Sequence, residues 1–146
     1  MMVTAFLPIR ARSLALVADD DLAIQALVAR VINRLGLVAV LVDDGAAAIA
    51  AVEAHRDCLA CAILDIVMPI VNGVDAAHAI QATAPGLPIV LMSGAIPEAY
   101  QNRISQLRLA GMLAKPFSFA TLRDLLRHVT GDAVALEKED MYERQP

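Results

Sequence analysis

Five residues set the chemistry this chain could perform: Asp19, Asp20, Asp65, Ser93 and Lys115. Each follows closely on a short apolar run, so each is read as sitting at or just past the carboxyl end of a strand. Brought to one rim, three carboxylates raise one another's pKa and need a cation nearby to stay ionised. A divalent metal supplies it, and Mg²⁺ suits an all-oxygen set, because it keeps several waters and binds through one or two carboxylates plus a phosphate oxygen. A hydroxyl at Ser93 and an ammonium at Lys115 add a hydrogen-bond donor and a compact positive charge. That combination fits phosphoryl transfer to an aspartate. Singly, each residue also has a plainer role: Asp after a strand caps helices and forms turns, Ser93 before Gly94 is a turn pair, and a lysine before proline is ordinarily solvated.

The elements that must position these residues are legible as an alternation. Ser13 to Ala18 is apolar and ends in Asp19-Asp20-Asp21. Ile24, Leu27, Val28, Val31, Ile32 and Leu35 then recur at helical spacing, with Asp21 as N-cap and Gly36 as stop. Leu37 to Val42 is a second strand, and Ala46 to His55 an alanine-rich helix. Leu59 to Leu64 leads to Asp65, and a loop with Met68-Pro69 and Asn72-Gly73 precedes a helix over Val74 to Thr83. Leu87 to Met92 is the fourth strand, and a helix starting near Pro97 runs to about Leu107. Met112 to Ala114 is a brief fifth strand, and Phe119, Leu122, Leu125, Leu126 and Val129 mark the last helix. Five strands written as nearly continuous apolar runs, alternating with five helices, predict an α/β, doubly wound, five-stranded parallel sheet covered on both faces. In such a sheet ligands gather at the carboxyl ends of the strands, where the strand order reverses.

Composition narrows the function. The 146 residues carry 12 Lys plus Arg against 16 Asp plus Glu, a formal charge of −4, which argues against a direct nucleic-acid binder. A 58% share of hydrophobic residues supports one full core, while three Phe, two Tyr and no Trp leave it aliphatic. The apolar runs are far short of the ~20 residues a membrane span needs. The N-terminal apolar stretch precedes Arg10 and Arg12, the reverse of a secretory signal's charge order, so a cytoplasmic location is expected. The expected organisation is an N-terminal extension over 1–12, a domain over 13–131 and an acidic tail over 132–146, with a short helix around Val134 to Tyr142. Cys58 and Cys61 have CxxC spacing but lead into a strand rather than opening a helix, which disfavours redox or metal use, and His55 adds only a third candidate ligand. His78 and His128 are read as surface residues. No P-loop or GxGxxG pattern follows any strand.

The ordered set Leu16-Val17-Ala18-Asp19-Asp20-Asp21, Ile63-Leu64-Asp65-Ile66-Val67-Met68-Pro69 with Asn72-Gly73, Leu91-Met92-Ser93-Gly94 and Lys115-Pro116-Phe117 resembles the receiver domain of response regulators of bacterial two-component signalling, over roughly Ser13 to Val129. The resemblance implies a flavodoxin-like strand order 2-1-3-4-5 and a cis peptide between Lys115 and Pro116. It implies that Asp65 accepts a phosphoryl group from a histidine kinase or histidine phosphotransfer protein. Mg²⁺ would be held directly by Asp20, by Asp65 and by the backbone carbonyl of Val67, with Asp19 acting through water. Ser93 would bond the phosphoryl group and Lys115 would pair with it. The product would be a self-catalysed, self-reversing signalling switch rather than an enzyme with turnover of a small molecule. Its partner would be an unknown downstream protein, and the face made by the fourth helix, fifth strand and fifth helix is where the family forms homodimers.

The sequence departs from the family at Met112, which stands where a switch aromatic is usual and cannot hide and expose a ring. Tyr100 is read as an ordinary half-buried tyrosine. Arg108 and Leu109 occupy a turn where small residues are common. The alternatives are a receiver excised from a hybrid histidine kinase, a phosphorylation-independent interaction module, and a haloacid-dehalogenase-type phosphatase. The last wants a second Asp two residues after its nucleophile, where this chain has Val67.

Overall fold

The computed structural model describes residues 12–131. The expected tail helix and all but the last residue of the expected N-terminal extension lie outside them. Five strands, β1 (Leu14–Ala18), β2 (Val38–Val42), β3 (Leu59–Asp65), β4 (Ile89–Ser93) and β5 (Gly111–Ala114), alternate with α1 (Leu22–Arg34), α2 (Gly45–His55), α3 (Gly73–Thr83), α4 (Glu98–Ser105) and α5 (Phe119–Thr130). All pairings are parallel and the order is β2-β1-β3-β4-β5, the flavodoxin-like arrangement. The order reverses between β1 and β3, so the crevice for a ligand opens above those two strands.

Local chemistry sets the boundaries. Asp21 caps α1, its carboxylate accepting from the backbone N–H groups of Ala23 and Ile24. The same helix closes with Gly36 at φ 84°, the left-handed position that favours glycine, while Gly36 N–H and Leu37 N–H donate to the carbonyls of Asn33 and Ile32. Leu37 is thereby spent on the helix end, and β2 starts one residue later than the apolar run suggests. β4 likewise starts at Ile89 rather than Leu87, because Pro88 has no N–H for the ladder, and its carbonyl accepts from Ala62. α4 is shorter than the run from Pro97 to Leu107: Pro97 is its N-cap and Gln106 its C-cap. Asn72 caps α3 and Ser118 caps α5 through their side chains.

Alternation along the strands divides the core in two. Leu16, Ala18, Leu64, Ile89 and Leu91 face α2, α3 and α4 and pack with Val52, Val74, Ala77 and Ile80. Ala15, Val17, Ile63, Val90 and Met92 face α1 and α5 and pack with Val28, Ile32, Leu122 and Leu126. Every side chain of β3 is buried, as a central strand covered on both faces requires.

Candidate functional site

The strand register brings the chemically matched residues together. Ala18 pairs with Leu64, so Asp19 and Asp65 leave neighbouring strands side by side. Asp65 pairs with Met92 and Ser93 with Ala114, which puts Ser93 and Lys115 on the same rim. One carboxylate oxygen from each of Asp19, Asp20 and Asp65 lies within 4.8 Å of the others. Lys115 Nζ stands 2.8 Å from Asp19 Oδ2 and 3.2 Å from Asp65 Oδ2, so one ammonium bridges two carboxylates. Lys115 is joined to Pro116 by a cis peptide, as the resemblance implied.

The three carboxylates occupy different environments. Asp19 is fully buried, and both oxygens are engaged: Oδ1 accepts from Asp21 N–H at 2.9 Å and Oδ2 from Lys115. Asp20 is exposed. Asp65 is buried, with its carboxyl pushed above the usual carboxylate range by desolvation and by the Asp19 charge, against the opposing pull of Lys115 and of a hydrogen bond from Val67 N–H. Burial alone would push the Lys115 ammonium down, but its hydrogen bond to Asp19 and the charges of Asp65 and Asp19 outweigh that, and the net shift is up. Three carboxylates and one ammonium leave a formal charge of 1 − 3 = −2 in this cluster. A cluster built only of hard oxygen donors with that excess charge fits a divalent cation, and of the three side chains Asp20 is the one free to turn toward solvent.

Not every expected residue is engaged as expected. Ser93 is at the rim and its carbonyl accepts from Lys115 N–H at 2.9 Å, but its hydroxyl donates to Ala95 O at 2.5 Å rather than reaching toward Asp65. Val67 contributes its N–H to the Asp65 carboxylate, while its side chain is exposed. Met112 is exposed on β5, and Tyr100 is half-buried against the core on the α4 side. Cys61 is buried in β3 and its thiol is pushed up to about 12 by desolvation, the opposite of the depressed pKa a redox CxxC needs. His78 Nε2 lies 2.9 Å from Arg103 O, a contact between α3 and α4.

Two features escaped the sequence reading. Gly73 N–H donates to Ile66 O, and a Cβ on Gly73 would stand 2.0 Å from Asp65 O, so α3 can start against the strand end carrying Asp65 only because residue 73 has no side chain. Gln25 is buried on α1 and reaches the site's backbone. Its signal was a polar residue at the spacing of Val28, Ile32 and Leu35, on a stripe otherwise apolar.

A family model for the response regulator receiver domain matches residues 15–127. This chain belongs to that family. The receiver is 35% identical over 118 residues to the autoinducer 1 sensor kinase/phosphatase LuxN of Vibrio campbellii, a match covering 80% of this chain and 13% of that protein. It is 32% identical over 118 residues to the probable transcriptional regulatory protein TcrX of Mycobacterium tuberculosis, covering 77% of this chain and 49% of the relative. The receiver thus spans about half or less of the length of these two relatives. Among solved structures it is similar to the receiver domain of the sensor histidine kinase PA1611 of Pseudomonas aeruginosa, which holds a magnesium ion in its active-site cleft. The TM-score there is 0.72 at 25% identity, over 83% of this chain and 99% of that one. Among the described residues no helix is long and apolar enough to cross a membrane.

Proposed function

We propose that this receiver accepts a phosphoryl group on Asp65 from the phosphohistidine of a histidine kinase or histidine phosphotransfer protein, and that the modification changes which protein it binds. The observation that carries the reading is the Asp65 carboxylate at the end of the central strand, facing Lys115 Nζ at 3.2 Å within a cluster of three carboxylates. Asp20, Asp65 and the backbone carbonyl of Val67 would hold Mg²⁺, as the magnesium in the Pseudomonas receiver's cleft supports, and Asp19, with both oxygens already committed, acts through water. When bound, Mg²⁺ neutralises charge that develops on the phosphoryl oxygens.

In the transfer, a carboxylate oxygen of Asp65 attacks phosphorus, the P–N bond to the donor imidazole breaks, and the imidazole leaves with its nitrogen lone pair. Lys115 pairs with the transferred phosphoryl group, and Ser93 must give up its bond to Ala95 O to donate to it. In the separate step that ends the signal, water attacks phosphorus and gives its proton to solvent, the bond to Asp65 breaks with its electron pair returning to the carboxylate, and inorganic phosphate leaves. Beyond the phosphohistidine donor and water, the groups that assist both steps are the receiver's own residues and the metal, so the domain catalyses its own switching. The α4, β5 and α5 face is the proposed output and pairing surface, with exposed Met112 in place of a ring, and the domain limits 13–131 with flanking 1–12 and 132–146 are part of the same reading.

Intact-protein mass spectrometry after incubation with acetyl phosphate and Mg²⁺ tests it. A single hydroxylamine-labile phosphoryl adduct is expected, absent with EDTA and in Asp65→Asn. No adduct and no phosphate release would overturn the reading and leave an interaction module indifferent to Asp65→Asn.

A further inference from the structure

Gln25 is the buried polar residue that the phosphoryl chemistry does not use. It lies on the inward face of α1, 5% exposed, on the stripe that also carries Val28 and Ile32. Its side-chain nitrogen stands 2.6 Å from Asp19 O, 3.0 Å from Val42 O and 2.8 Å from Asp43 Oδ1. All three neighbours are acceptors, two carbonyls and a carboxylate, so the amide's orientation is fixed: only its –NH₂ end fits there. Two N–H groups are shared among three acceptors at the carboxyl ends of two neighbouring strands, β1 and β2.

Those strand ends are the ones the site depends on. The Asp19 carbonyl belongs to the peptide plane that carries Asp20, so holding that oxygen places the Asp20 Cα and narrows the directions its carboxylate can take. Val42 ends β2 and Asp43 opens the turn to α2, and Val42 O also accepts from Asp19 N–H at 3.1 Å. From that turn the path continues to the acceptor loop. Gly45 N–H donates to Val71 O at 3.0 Å, and a Cβ at Gly45 would stand 2.1 Å from that oxygen, so the two loops pack backbone on backbone. Gly73 N–H then donates to Ile66 O, next to Asp65. One carboxamide therefore ties the aspartate pair after β1 to a turn that is itself in contact with the loop after Asp65.

The geometry points to Gln25 as a positioning residue for the metal-binding carboxylates, setting the Asp20 side chain against Asp65 without touching the ion or the phosphoryl group. The inference rests on the phosphoacceptor reading above and adds a residue to it. Groups that orient a ligand from behind are worth about 10- to 100-fold in metal affinity. Gln25→Met keeps the length and the apolar packing and removes both donors, so it separates hydrogen bonding from volume.

The test is Mg²⁺ titration calorimetry on the full chain, alongside thermal unfolding in EDTA and adduct formation from acetyl phosphate at graded Mg²⁺. Gln25→Met is expected to bind Mg²⁺ about tenfold more weakly. It should need correspondingly more Mg²⁺ for half-maximal adduct formation, yet reach the wild-type rate when saturated. Val129→Ala, which trims half-buried packing on α5 far from the acids, should lower the melting temperature while keeping the wild-type Kd. A wild-type Kd in Gln25→Met overturns the inference and leaves Gln25 a structural residue. If Gln25→Met does not fold, Asp43→Ala removes one exposed acceptor of the three and should weaken Mg²⁺ binding about threefold, the worth of one modest hydrogen bond. An unchanged Kd in that variant overturns the inference equally. Failure of the wild-type chain to bind Mg²⁺ defeats the phosphoacceptor reading itself and is recognised by its appearing before any substitution is made.

Discussion

Ile70 carries the one strained backbone among the non-glycine described residues. Its φ is 69°, a region that costs an L-residue about 1–2 kcal/mol and a β-branched one more. Val71 N–H donates to Pro69 O at 2.8 Å across it, so Ile70 is the centre of a three-residue turn of the strained hand. The turn persists because both sides are held, by Gly45 N–H on Val71 O and by Gly73 N–H on Ile66 O. The side chain is 82% exposed, so it returns almost nothing in burial. Replacing it with glycine relieves the strain, and the greater freedom of glycine in the unfolded chain takes back only part of that gain. Ile70→Gly is expected to stabilise the domain by about 1 kcal/mol, read as a higher urea midpoint at unchanged slope. An unchanged or lower midpoint would show that the turn stores no strain.

Among the elements, α4 is held differently from the rest. It has no buried residue, and only Tyr100 and Ile104 pack partly against the core. Polar contacts to α3 take over: Arg103 pairs with Asp75 and His78 Nε2 meets Arg103 O, while Gln81 matches both backbone groups of Arg108, in the segment just after α4, at 3.0 and 3.3 Å. Exposed pairs of this kind contribute little each, so α4 sits at the low-stability end of the fold. The loop that leads into it starts at Ser93, whose hydroxyl is bonded to Ala95 O. A helix held by a few polar contacts and joined to the Ser93 hydroxyl by a short loop is suited to move when that hydroxyl does. The double variant Arg103→Ala, Gln81→Ala should raise amide exchange in α4 about tenfold while leaving β1 and β3 amides at their original rates. Acceleration spread evenly over the sheet would show that α4 opens only with the whole domain.

For the whole molecule, the acidic cluster is a local cost that the two aliphatic cores offset. Asp65 has a folded pKa raised above its ordinary value of 3.8. Its protonated form is therefore favoured by folding, and the stability this group contributes is fully present below the unfolded pKa and lost as pH rises through the folded one. Above both values the ionised, desolvated carboxylate beside Asp19 opposes folding. Without metal, Asp65→Asn should accordingly melt higher than the wild-type chain at pH 7, with the difference vanishing toward pH 3. Mg²⁺ should narrow the gap by stabilising the wild-type chain with the logarithm of its free concentration, about 2.7 kcal/mol at a hundredfold excess over Kd. Equal melting temperatures at pH 7 in EDTA would show that the cluster carries no electrostatic cost.

The sequence by itself determined the alternation of strands and helices, the strand-end positions of Asp19, Asp20, Asp65, Ser93 and Lys115, and through their order the family. That is because apolar periodicity, helix caps and strand-terminating carboxylates are local: Asp21, Asn72 and Ser118 cap their helices within three residues. The boundaries that shifted did so where a single residue had two duties, as Leu37 serves the end of α1 and Pro88 withholds a donor from β4. Only the tertiary structure decided that Asp19 is sealed and Asp20 open, that the Ser93 hydroxyl faces its own loop, and that Gln25 spans two turns. The Ser93 bond to Ala95 O is local, but the other two depend on partners far apart in the chain, 17 and 18 residues for Gln25 with Val42 and Asp43 and 96 for Lys115 with Asp19. Burial and hydrogen-bond choice belong to the packed chain, where elements from the whole sequence compete for the same acceptors.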